Sequence, residues 1–193
     1  MPVTVSGRGV EKVIDTDEHP RADASMESMA KLRTAFKKDG TVTAGNASGL
    51  NDGAAAVVLM EAGAAAKKGL KPMARLLAYG HAGVDPKYMG IGPVAAVQTA
   101  LARAGLKVSD MDVVESNEAF AAQACAVAKD LKFDPAKTNP NGGAVALGHP
   151  IGATGCLLTV KAIYELQRSG GRYALVTMCI GGGQGIAAVF ERM

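Results

Sequence analysis

Tryptophan is absent, and tyrosine and phenylalanine occur only four times each in 193 residues. The hydrophobic share of 48% must therefore come from small aliphatic side chains. Alanine, glycine and valine suit close packing of helices on a sheet, the layered arrangement of an α/β fold. Cysteine is scarce. Cys125, Cys156 and Cys179 are odd in number and lack C-x-x-C spacing. That pattern excludes a disulfide framework or a zinc site and points to a reducing compartment, so a cytoplasmic location is expected. No apolar run reaches the length of about 18 residues that a membrane helix needs. The opening MPVTVSGRGVEK lacks the apolar stretch of a secretory signal. Basic residues are scattered and the net charge is only +3. Neither a nucleic-acid nor a membrane partner is implied.

What is present is glycine, and it clusters. Residues 139–155 read NPNGGAVALGHPIGATG, with Gly142, Gly143, Gly148, Gly152 and Gly155 inside the run. Such density marks turns or a close approach of backbone to a ligand. Pro150 biases His149 toward an extended conformation. Beyond Gly152, Leu157, Val160, Ile163, Tyr164 and Gln167 recur at helical spacing. A histidine is thus held on a glycine-rich loop just before a helix N-terminus, where free N–H groups favour negative charge. His19 and His81 share no ligand spacing with His149, so no metal is assigned. No G-x-x-x-x-G-K-[ST] occurs, because His149 follows Gly148, and no G-x-G-x-x-G follows a strand. A nucleotide-binding loop is therefore excluded.

Along the chain, a short strand is expected over residues 2–5, followed by a turn over 6–9. Ser25 heads a helix over 26–36, with Ser28 in place of the glutamate of a full capping box. Residues 54–60 form a continuous apolar run that reads as a buried strand. An alanine-rich helix follows over 61–68, stopped by Gly69. A second strand is expected within 72–84, and an amphipathic helix over 93–104 ends at Gly105. Val113 and Val114 form a strand that delivers residues 115–118 at its C-terminal end, and a helix runs over 119–131. Cys125 lies inside that helix and reads as a small core residue, and Cys156 also reads as structural. Strands over 172–178 and 185–191 close the chain. The expected fold is α/β: a mixed, mostly parallel sheet with helices on both faces and a final antiparallel hairpin. Ligands of such sheets sit beyond the carboxyl ends of strands. Asn117 and Cys179 both fall there, and His149 precedes a helix.

Three strings, NEAFA at Asn117, GGAVALGHPIGATG around His149 and CIGGGQG from Cys179, resemble the motifs of the C-terminal half of the thiolase family (acetyl-CoA acetyltransferase or β-ketothiolase). The resemblance runs the length of the chain. It implies the end of a loop domain over residues 1–50, the last strand and helix of an N-terminal domain over 51–71, and a C-terminal thiolase domain over 72–193. It also implies acyl transfer between coenzyme A thioesters, condensing two acetyl-CoA to acetoacetyl-CoA or running the reverse thiolysis. No cofactor is expected, because the thioesters are substrates. The family's nucleophilic cysteine belongs to the first half and has no match here. The expected partners are that missing half and a second copy of the chain, as dimer or tetramer. A non-catalytic fragment that binds coenzyme A or serves assembly is the alternative.

By resemblance, His149 activates the nucleophilic thiol and Asn117 holds a water in an oxyanion hole. Cys179 exchanges a proton with the α-carbon, and the N–H of Gly181 donates to a second oxyanion. Ser48 resembles the serine on the pantetheine arm and Arg21 a residue near the adenine and 3′-phosphate. Met89 and Phe120 resemble walls of the acyl pocket.

Overall fold

The structure is a computed structural model that describes residues 2–7 and 9–193. It opens with a hairpin. β1 (Val3–Gly7) pairs antiparallel with β2 (Val10–Ile14). The expected strand over 2–5 is present and longer, whereas β2 was not foreseen, since every residue of it is exposed and no core face shapes its pattern. The turn expected over 6–9 includes Arg8, which lies outside the described residues. α1 (Met26–Ala30) is one turn long, not the helix expected over 26–36. Leu32 and Phe36 are exposed, so no buried face extends it, and short helices are marginal without one. Its cap is better than expected. Ser28 serves as the reciprocal partner, its backbone N–H donating to Ser25 Oγ while the Ser25 N–H donates to Ser28 Oγ, both at 3.1 Å.

The buried strand expected over 54–60 is absent. These residues have no regular secondary structure, and Val58 and Leu59 are 89% and 80% exposed. A strand is defined by its neighbours, and none pairs with that segment among the described residues. α2 (Ala62–Lys67) follows, capped by the Glu61 carboxylate and ended at Gly69 with φ +65°.

The main body begins with β3 (Ala74–Gly83) and α3 (Gly92–Ala104), joined by a 3-10 turn over Pro86–Ile91. Gly105, at φ +68°, stops α3 in the left-handed region that glycine adopts freely. A second 3-10 turn over Val108–Asp110 leads to β4 (Val113–Ser116) and α4 (Ala121–Leu131). A single turn, α5 (Ala144–Leu147), interrupts the glycine loop and was not foreseen. α6 (Thr154–Ser169), β5 (Tyr173–Ile180) and β6 (Gln184–Arg192) complete the fold.

The sheet order is β3-β6-β5-β4. β4 and β5 are parallel, while β5/β6 and β3/β6 are antiparallel. The sheet is mixed as expected, but it is not mostly parallel. β6 returns by a tight turn and β3 joins its far side, so two of the three ladders are antiparallel. Residues 137–139 cover the free edge of β4, with the Val114 N–H donating to Lys137 O and the Asn139 N–H to Val114 O, both at 2.8 Å.

Strand alternation sends successive side chains to opposite faces. Val114, Leu175, Ala187 and Val189 meet α3 and α4 through Val97, Leu101, Val127 and Leu131. Val113, Ala174, Val176 and Phe190 meet α6 through Leu158, Ala162 and Leu166. Helices therefore cover both faces. Burying one such aliphatic side chain stabilises by about 1.5–3 kcal/mol. α3 approaches so closely that a Cβ on Gly185 would collide with the Gly92 backbone. Among the described residues, no helix is long and apolar enough to cross a membrane.

Candidate functional site

The end of β4 and the glycine loop are built against each other. Ser116 and Asn139 exchange two hydrogen bonds of 2.9 Å, from the Ser116 N–H to Asn139 Oδ1 and from Asn139 Nδ2 to the Ser116 carbonyl. The Glu118 carboxylate accepts from Asn139 Nδ2 and from the Val145 N–H, both at 3.2 Å, at the start of α5. It occupies the space where a Cβ on Gly143 would sit, so a larger residue there would displace the carboxylate. Gly148 has φ +100°, and the Asn51 side chain fills its would-be Cβ position. Asn51 Oδ1 also accepts the His149 N–H at 3.0 Å. The loop thus hands His149 to a defined place at the N-terminus of α6.

The orientation of the imidazole follows from its partners. Nδ1 lies 2.7 Å from Thr154 Oγ1. The Thr154 hydroxyl has one hydrogen, and it is donated to the Pro150 carbonyl at 2.9 Å. Thr154 must therefore accept from His149, which places the ring proton on Nδ1 and leaves the Nε2 lone pair free. Nε2 lies 3.4 Å from Asn117 Nδ2. That hydrogen bond is long and therefore weak. Burial lowers the His149 pKa below its ordinary value, so the ring is neutral at pH 7. A neutral imidazole whose Nε2 accepts only this weak bond can take a proton from a nearby thiol or hydroxyl.

Asn117 follows β4 and is 2% exposed. Its Oδ1 is buried with no hydrogen-bond partner among the described residues. Such an acceptor suits a water or a ligand N–H. Its backbone N–H donates to the Thr177 carbonyl at 2.9 Å, which ties it to β5.

Cys179 lies two residues further along β5 and is half-buried. It is in phase with Leu175, which packs toward α3 and α4, whereas Asn117 is in phase with Val113 on the α6 side. Burial pushes the Cys179 thiol up, so it is protonated at neutral pH. Gly181 opens the turn between β5 and β6 with free space around it. The fold brings His149 and Asn117 into contact. Cys179 and Gly181 sit on the same strand-end rim without a bond to that pair among the described residues.

The segment 46–51 runs between α4 and His149. The Ser48 N–H donates to the Ala119 carbonyl at 3.0 Å, Ala47 bridges to Phe120, and Leu50 bridges to His149. Leu50, Asn51, Asp52, His149 and Ile151 line an open cleft of about 240 Å³. The Phe120 ring stands edge-on to Phe36, with centroids 6.1 Å apart. Met89 is half-buried in the 3-10 turn, and its neighbour Gly90 packs on Gln123 of α4. Arg21 is in an exposed turn and makes no ion pair among the described residues. Cys125 is exposed, not the core residue expected, because nothing among the described residues covers that face of α4. Cys156 is half-buried in the first turn of α6.

Sequence reasoning missed Thr154, Asn51 and Glu118. Thr154 offered one signal, a hydroxyl five residues after the histidine at a helix start. It also missed a buried ion pair. Glu115 in β4 is 0% exposed and meets Lys161 Nζ of α6 at 2.9 Å. Burial raises the Glu115 pKa against the opposing pull of Lys161. A carboxylate inside an apolar strand was the available signal, since buried charges are paired.

Comparison with known proteins fits this architecture. Residues 70–192 match the thiolase C-terminal domain, and residues 1–63 match the thiolase N-terminal domain. The chain is 69% identical over 194 residues to a beta-ketothiolase of Cupriavidus necator, covering 100% of this chain and 49% of that protein. It is 54% identical over 193 residues to an acetyl-CoA acetyltransferase of Shinella zoogloeoides, again across 100% of this chain and 49% of the relative. The crystal structure of the Bacillus anthracis acetyl-CoA acetyltransferase superimposes with a TM-score of 0.94 at 51% identity, over 100% of this chain and 49% of that one. A human mitochondrial 3-ketoacyl-CoA thiolase solved in complex with CoA gives a TM-score of 0.86 at 46% identity, over 94% of this chain and 46% of that one. The chain spans about half the length of the relatives it matches. Sequence and fold agree, and the chain belongs to the thiolase family.

Proposed function

We propose that this chain is the C-terminal half of an acyltransferase that interconverts two acetyl-CoA with acetoacetyl-CoA and CoA. The observation that carries the reading is the meeting of a neutral, tautomer-set His149 with the Asn117 carboxamide at 3.4 Å, in a chain of this family. In condensation, a thiol from the missing first half loses its proton to His149 Nε2 and attacks the thioester carbon of acetyl-CoA. The tetrahedral oxyanion takes hydrogen bonds from the imidazolium and from a water held at Asn117 Oδ1. CoA leaves as its thiol, taking the proton back from His149. Cys179, as thiolate, then removes a proton from the α-carbon of a second acetyl-CoA. The carbanion attacks the acyl-enzyme carbonyl carbon and expels the enzyme sulfur as a thiolate, which takes up the proton that Cys179 removed, giving acetoacetyl-CoA. The Gly181 N–H stabilises the enolate oxygen. In thiolysis Cys179 runs as the acid, which suits the protonated form that burial favours.

Ser48 holds the pantetheine arm, Arg21 meets the 3′-phosphate with its guanidinium fork, and Met89 and Phe120 wall the acyl pocket. The domain boundaries near residues 50 and 71, a homo-oligomeric assembly and a cytoplasmic location belong to the same reading.

A thiolysis assay tests it, run on the chain alone and on the chain completed with a thiolase first half. Turnover is expected only from the completed protein. His149→Ala and Cys179→Ala are each expected to lower its rate by about 10²–10⁴-fold, the range of a lost general acid–base group. A rate that survives both substitutions together rejects these roles. CoA binding without turnover by the completed protein favours an assembly module.

A further inference from the structure

We propose that Lys161 is a positioning residue, whose ammonium sets the place of the His149 loop by tying the Gly142 carbonyl to Glu115. Lys161 Nζ donates to Glu115 Oε2 at 2.9 Å and to the Gly142 carbonyl at 2.6 Å. Gly142 lies one residue before the Gly143 N-cap of α5. α5 is a single hydrogen-bonded turn, closed by the Leu147 N–H to Gly143 O at 3.0 Å and the Gly148 N–H to Ala144 O at 2.9 Å. It therefore transmits the position of Gly142 to His149 as a short rigid link.

The loop is stapled to α6 at both ends. Thr154, at the first turn, holds the imidazole at Nδ1. Lys161, seven residues later, holds Gly142. Seven residues are two turns, so both side chains leave α6 on one face, about 10.5 Å apart. β4 provides the matching pair. Glu115 and Asn117 alternate to the same face of the strand, about 6.6 Å apart. Thr154, His149 and Asn117 form the upper rung between α6 and β4, and Lys161 with Glu115 forms the lower. The lower rung is shielded from solvent, the Glu115 side chain being 0% exposed and that of Lys161 24%. A buried charged hydrogen bond of this kind fixes register more firmly than the 3.4 Å contact above it can do alone. A neighbouring cross-tie supports the same loop, where Asn141 Nδ2 donates to Glu165 Oε2 of α6 at 2.8 Å.

The importance of this clamp rests on the reading of His149 and Asn117 as the reacting pair, but its geometry does not. Two measurements on the 193-residue chain test it, and neither uses turnover. Loss of thiolase activity in the completed protein and loss of the clamp are therefore told apart. In the unmodified chain, the Lys161 ammonium is expected to give a separate, slowly exchanging Nζ–H resonance in ¹H–¹⁵N spectra. An ammonium exchanging as fast as those of surface lysines overturns the proposal with no variant needed. In the Glu115→Gln/Lys161→Met double variant no unpaired buried charge remains, so the fold is expected to survive. Its His149 ring-nitrogen signals and its Asn117 amide signals are both expected to shift. Lys161→Arg, which keeps a cation with several donors, is expected to retain both signatures. Unchanged His149 and Asn117 signals in the folded double variant overturn the proposal.

Discussion

His149 donates from Nδ1 to a Thr154 oxygen 2.7 Å away, and that oxygen has already committed its only hydrogen to Pro150. One threonine therefore decides which ring nitrogen is free. Thr154→Val removes the acceptor at nearly constant volume. The ring is expected to take up a mixture of tautomers, read as the loss of the Nδ1–H pattern in long-range ¹H–¹⁵N spectra. In the completed enzyme kcat/KM is expected to fall about 10- to 100-fold, as for other residues that orient a functional histidine. Thr154→Ser is expected to restore both. A normal tautomer pattern in Thr154→Val would remove the threonine from this role.

The His149 pKa is lowered by burial, so protonation is resisted in the folded state. The unfolded chain binds that proton more readily. The contribution to stability is present above the ordinary histidine value of 6.5 and is lost as pH falls through the lower folded value. Acid loss of activity in the completed enzyme should thus have its midpoint below 6.5. A kcat/KM profile and a thermal melt series over the same pH range check this. An acid limb centred above 6.5 contradicts it.

Thiol labelling should follow exposure and thiolate fraction. Cys125 is exposed, whereas burial pushes the Cys179 thiol up. Iodoacetamide at pH 7.5 followed by peptide mass mapping should therefore modify Cys125 well before Cys179. Raising the pH should accelerate labelling of Cys179. Equal rates at both sites would mean that the strand end of β5 is open in solution.

Two glycines separate close packing from open space. A Cβ at Gly185 would meet the backbone of Gly92, so Gly185→Ala forces α3 away from β6. It is expected to cost about 1–3 kcal/mol, the range for overpacking. A Cβ at Gly155 would lie 3.8 Å from the Met178 methyl, an ordinary contact. Gly155→Ala lies in α6 and is expected to stabilise by about 0.5–1 kcal/mol. Urea melts of the two variants should move in opposite directions.

Much of the fold was legible. The helix over 93–104, its stop at Gly105 and the strands around Val113, 172–178 and 185–191 all stand close to where periodicity put them. Each carries its own repeat of buried side chains. The run over 54–60 has the same apolar composition and still is not a strand, because no described residue pairs with it. The antiparallel attachment of β3 to β6 left no local trace either.

The amino-acid sequence by itself determined the longer helices and strands of the main body, the family, and that His149, Asn117 and Cys179 arrive at the ends of their elements. Those properties follow from spacing within a few residues of each other. Only the tertiary structure decided which imidazole nitrogen is free, that Asn117 and not Cys179 touches it, and that Lys161 closes a buried pair with Glu115. Those contacts join residues 5, 32 and 46 positions apart. The longer ones rest on how α6 lies across β4, which no local pattern of side chains records.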